Sequence, residues 1–145
     1  NTALVIEGNS AVVVGASGVV VVDGRAGGGS GSEGSSGLAL WLAGAGDVID
    51  LRSLDVRRGS RKTALPVGNA SLDLPDDPFA RWAFLHLLQD LASSSATDAA
   101  FEVAGATLRF TKAPDFSAAA SGISGGVEET ALGLSAGPLL IELRR

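Results

Sequence analysis

Residues 11–37 read AVVVGASGVVVVDGRAGGGSGSEGSSG, and the fold turns on whether the first glycines lead into a helix or into another strand. Gly15 and Gly18 follow three valines and precede Val19, Val20, Val21 and Val22. Branching at Cβ stiffens valine and favours strand over helix, so the chain reads here as strand, tight turn, strand. With the preceding TALVIEG, the three valine-rich runs predict a β meander joined by turns of the NS and AS type. The tract from 27 to 37 is Gly and Ser with a single Glu. It has too little apolar surface to order itself and reads as a flexible loop, or as an engineered linker.

AVVVGASG resembles the first strand and glycine turn of doubly wound dinucleotide-binding folds, in which helix N-terminal amides hold a pyrophosphate. A second match to the glycine spacing of that fingerprint occurs at Gly29, Gly31 and Gly34. Neither is followed by the helix this chemistry needs, and no alternation of strand and helix supplies crossovers for a parallel sheet. Both therefore read as turn and loop. The longer NTALVIEGNSAVVVGASGVVVVDG looks like the opening hairpin of metallo-β-lactamase-fold hydrolases. That resemblance implies a metal centre built from several His and Asp residues, and His86 is the only histidine here, so such a centre cannot be assembled and membership is not adopted.

The rest of the chain is consistent with a β-rich reading. A length of 145 residues suits one domain, able to bury about two-thirds of its unfolded surface. Twenty glycines and few aromatics point to short strands and many turns. LALWLAG and DVIDLRSLDVRR read as two more strands, the second bulged near Arg52 and Ser53 because its apolar residues change parity. TALPVGNASLDL, interrupted by Pro66 and Gly68, suits an edge. AAFEVAGATLRFTK alternates cleanly and predicts a hairpin turning at Ala104 and Gly105. PDFSAAASGISGG reads as a loop, and VEETALGLSAGPLLIELRR as a final hairpin turning near 136–138.

One helix is predicted, over 78–93, with Asp77 as N-cap and Pro78 in its first turn. At 100° per residue Ala80, Phe84, Leu87, Leu88 and Leu91 share a core face. Phe79, Trp82, His86 and Asp90 lie roughly opposite. Aromatics on the far side of a helix are either covered again or form a contact surface, which makes Phe79, Trp82 and His86 a candidate protein-interaction face. Exposed strand edges are a second route to partners, through strand addition.

Chemistry-bearing motifs are sparse. A formal net charge of −5 argues against a general nucleic-acid binder. The absence of Cys excludes disulfides and thiolate chemistry. No apolar run approaches the roughly 18 to 20 residues of a spanning helix, and no signal-peptide layout is present, so a soluble domain is expected in an unassigned compartment. The first residue is not Met and the chain contains none, which reads as a processed or excised piece. His86, with Asp90 one turn on, could act as a base or pH switch, but no nucleophile motif accompanies it and a helix-surface role is the simpler reading. Asp47, Asp50, Asp55, Asp73, Asp76 and Asp77 read as solvated turn and cap residues. Arg57, Arg58, Arg61 and Lys62 form a basic turn suited to a phosphate or to the acidic face of a partner, with Ser60 placed as a kinase acceptor would be. Asn69-Ala70-Ser71 has N-glycosylation spacing, read as coincidence.

The sequence thus predicts a single α+β domain over 1–145, mainly antiparallel, with eight to ten short strands and one amphipathic helix on the sheet. The leading functional expectation is a non-catalytic structural or protein-interaction domain, a subunit or fragment of a larger assembly, whose partner is another protein or subunit in a homo- or hetero-oligomer. No cofactor, metal or catalytic residue is assigned. The rivals are a hydrolase-like enzyme or enzyme fragment using His86 or paired aspartates, and an anion-binding module built on the Arg57–Lys62 turn.

Overall fold

A computed structural model describes residues 2–16, 18–25, 35–68, 72, 74–77, 80, 83–121 and 133–144. They form ten strands and one helix in the order β1 (Thr2–Glu7), β2 (Ser10–Gly15), β3 (Val19–Asp23), β4 (Ser35–Ala43), β5 (Val48–Asp50), β6 (Val56–Arg57), β7 (Thr63–Ala64), α1 (Ala83–Ser93), β8 (Asp98–Val103), β9 (Ala106–Ala120) and β10 (Ser135–Arg144). The predicted class, mainly antiparallel β with one helix packed on it, is the class observed. A four-stranded sheet has the order β1-β2-β5-β6, and a six-stranded sheet the order β3-β4-β10-β9-β7, with β8 also paired to β9. No described helix is long and apolar enough to cross a membrane.

The larger sheet is the middle layer. Leu40 and Leu42 of β4 join Leu139 of β10, Phe110 of β9, Phe101 of β8 and the helix residues Leu87, Leu88 and Leu91 in one core. The residues between them on β4 point the other way. Ala43, with Trp41 beside it, packs with Val21 of β3 against Ala11, Val13 and Ile49 of the smaller sheet. Period-2 alternation along β4 therefore supplies both cores at once.

The predicted meander is corrected at its third strand. β1 and β2 pair as expected, Leu4 opposite Val13 and Ile6 opposite Ala11, around Gly8 at φ 60°. β3 instead leaves for the other sheet and pairs with β4. A run of valines has apolar residues at both parities, and folding β3 face to face over β2 buries Val13 and Val21 together, which edge pairing would not.

Three further expectations are revised. Residues 48–57 are a hairpin, not one bulged strand: the Asp50 carboxylate accepts from the backbone N–H groups of Arg52 at 2.8 Å and Ser53 at 3.1 Å, and Leu54 closes the turn at φ 61°. An Asp that binds its own following amides makes a turn, so the change of parity marks a reversal. Residues 114–120 of the predicted loop over 114–126 belong to β9, residues 122–126 of it lie outside the described residues, and the predicted hairpin at 136–138 is the inside of β10, which has β4 on one side and β9 on the other. Proline cannot donate to a ladder. Here Pro138 and Pro114 fall where the register shifts, Ser117 opposite Gly137 but Lys112 opposite Leu139, so the strands continue past both.

The hairpin of β8 and β9 matches expectation, with Phe101 opposite Leu108 and Ala99 opposite Phe110. In α1 the face of Leu87, Leu88 and Leu91 is buried as predicted, and the Phe84 ring meets that of Phe110 at a tilt, 5.6 Å between ring centres. The described helix begins at Ala83, and Ala80, assigned to the core face, is exposed. Pro78, Phe79, Arg81 and Trp82 lie outside the described residues, as do Asp73, the Asn69-Ala70-Ser71 site and residues 27–34 of the Gly/Ser tract. Ser35 to Gly37 are already in β4.

Candidate functional site

The turn between β4 and β5 carries Asp47, which is completely buried, not solvated as its sequence context predicted. Its carboxylate accepts from the Gly44 amide at 2.9 Å, the Gly59 amide at 2.9 Å and the Ser135 hydroxyl at 2.5 Å, and ion-pairs with Lys62 Nζ at 2.8 Å. Lys62 also donates to Ser135 Oγ at 2.6 Å, and its side chain is only 2% exposed. A buried charge is tolerated when it is paired and its remaining hydrogen-bonding capacity is filled, and both conditions hold here. The two glycines permit it: a Cβ on Gly44 would lie 2.6 Å from the Leu134 carbonyl, and one on Gly59 would lie 2.9 Å from that of Gly46.

This knot ties β10, the β4–β5 turn and the segment leading into β7. Gly59 and Lys62 are both anchored on Asp47, so the intervening arginine turn is held at its two ends. The expectation that Lys62 stands outward with the three arginines is thereby corrected: its ammonium points inward. Arg57, Arg58 and Arg61 are exposed. Arg57 contributes to holding the Asp50 carboxyl below its ordinary range, after the larger effects of the Ser53 and Arg52 amides. Arg58 donates to Ser117 Oγ on β9.

Arg58 also lines a cleft of about 360 Å³. The smaller sheet ends at β6, which is two residues long, and beyond it the face of the larger sheet lies open. Trp41, Gly137 and Ser117, on adjacent strands β4, β10 and β9, line the cleft with Ser135. Asp55 and Val56 contribute from the β6 side, and Asp115 and Pro138 from the register shift between β9 and β10. Gly137 sits at φ 144°, and a Cβ there would come within 2.6 Å of Trp41 Cδ1, so the indole occupies the space a side chain would need.

Among the described residues no three His, Asp or Glu converge as metal ligands would. His86 is half-buried on α1, an element that the cleft does not touch. The predicted interaction face keeps only His86 within the described residues. Asp47 and Ser135, which organise the site, carry no local sequence signal, because the serine is 88 positions from the aspartate it binds. No protein-family model matches the chain, and comparison with curated proteins and with solved structures gives no match either.

Proposed function

We propose that this chain is a non-catalytic structural or protein-interaction domain that docks through β1, the partner strand coming from a second copy. One observation carries the reading: β1 is an edge strand whose inward-facing side chains are left bare. Leu4 and Ile6 face the same way as the buried Val13 and Ala11, yet they are 39% and 60% exposed. Val5, on the opposite face, is exposed as well. A free edge with apolar side chains on both faces is a template for strand addition. An antiparallel pair of identical strands closes on a two-fold axis. Centred on Val5, it sets Leu4 across from Ile6 of the second copy and Glu7 across from Ala3, so like charges do not meet and the bare side chains cover one another.

The enzyme reading draws least support from the buried serine. Lys62 lies against Ser135, but its ammonium faces the Asp47 carboxylate and has no lone pair with which to take the serine proton. The trio is a packing knot.

Sedimentation velocity across the micromolar range tests the proposal. The unmodified chain should show a concentration-dependent monomer–dimer equilibrium, and Ile6→Lys and Leu4→Lys, at positions already exposed, should each leave a folded monomer. A chain that stays monomeric at every concentration, or variants that dimerise as the unmodified chain does, would overturn it.

A further inference from the structure

The cleft beside β6 combines features that the docking of β1 does not use, and from them we infer a binding site for a free α-amino acid with an apolar side chain. Arg58, Asp55 and Asp115 line one cavity, but among the described residues none of them is ion-paired with another. Elsewhere opposite charges within reach do pair, as Asp23 with Arg25 at 2.9 Å, Asp98 with Arg109 at 3.4 Å and Arg144 with Glu142 at 2.9 Å. In the cleft the guanidinium is instead fixed by the Ser117 hydroxyl. Asp55 lies within the field of Arg25, which feels it electrostatically. Asp115 has no described counter-charge.

A site holding one cation and two carboxylates, unpaired, suits a ligand that carries both signs. A phosphate would meet Arg58 but also two carboxylates; a simple amine would meet the carboxylates but also Arg58. An α-amino acid satisfies both ends, its carboxylate taken by the planar fork of Arg58 and its ammonium by Asp115. Trp41, Val56 and Pro138 give one apolar side to a cleft whose other walls, Ser117 and Ser135 among them, are largely polar, and that side receives an apolar side chain. The volume, about 360 Å³, falls in the lower part of the range of small-molecule sites, about 300–1,000 Å³. The frame is built in advance: the Asp47 knot anchors Gly59, the residue next to Arg58, and Gly137 lets the indole of Trp41 lie against β10.

Titration calorimetry on the full chain tests this with L-leucine, L-valine and L-phenylalanine, and with three analogues of leucine: isopentylamine, 4-methylpentanoate and N-acetyl-L-leucine. The last represents a peptide C-terminus and separates that source of carboxylate from the free amino acid. At least one amino acid should bind saturably at one site, and the leucine analogues should bind about tenfold more weakly than leucine or worse, each lacking one charge-assisted contact. Arg58→Gln and Asp115→Asn should each lower amino-acid affinity by about the same factor without shifting the melting temperature, since both side chains are exposed. Three amino acids that give no saturable heat, an analogue that binds as tightly as leucine, or an Arg58→Gln chain that binds unchanged would each overturn the inference.

Discussion

Lys62 illustrates how far a single side chain can be from what its neighbours imply. It sits in VRRGSRK, a string of charge that reads as solvated, yet it is drawn inward because Asp47 and Ser135 are both buried and need a cation and a donor. Removing one member of a buried pair leaves the other charge uncompensated. Lys62→Met should therefore destabilise the fold by about 3–5 kcal/mol, measured as a lower urea midpoint at unchanged slope. Ser135→Ala should cost less, about 1–3 kcal/mol, because Asp47 keeps its amide donors and its ion pair. If Lys62→Met left the midpoint unmoved, the ion pair would not form in solution.

At the scale of elements, the β5–β6 hairpin depends on an ionised Asp50. The amides of Ser53 and Arg52 hold its carboxyl below the ordinary 3.8, and the Arg25 guanidinium does the same for Asp23. A depressed native pKa gives stability that is complete above the unfolded value and is lost as pH falls through the native one. Thermal stability should thus decline below about pH 4, with part of that decline absent in Asp50→Ala; melts recorded between pH 6 and pH 2 check it. In α1, Leu87→Ala should cost about 2–5 kcal/mol, since Leu87 is fully buried beneath the helix. That face was legible beforehand, as was the β8–β9 hairpin, because a single period runs through each. The path of β3 was not legible, since valine at every position fits either face. Nor were the second half of β9 and the first residues of β10, whose Ala, Ser, Gly and Pro carry little preference until a neighbouring strand imposes one. Of the site, Arg58 and Lys62 stood out as charges, but Asp47 and Ser135 become partners only through pairings across the whole chain.

At the scale of the molecule, the smaller sheet has two unlike edges: β1, whose Leu4 and Ile6 are exposed, and β6, two residues long and beside the cleft. The first edge exposes apolar surface and the second borders the cleft. Because the seam proposed at β1 is apolar, its strength should hold or rise in sulfate, which favours burial of apolar surface; a dimer that dissociates as sulfate is added would point to an electrostatic contact elsewhere. The placement of β10 between β4 and β9 has a kinetic consequence. Leu40 and Leu42 find their strand partners in Leu139 and Ala136, so the middle of the larger sheet stays open until residues 135–144 have left the ribosome. Pairings between distant segments are slow to form, and β4 must wait with an unsatisfied edge that other nascent chains can capture. Synthesis rate and chaperone supply, more than final stability, should then govern the yield of correctly folded protein.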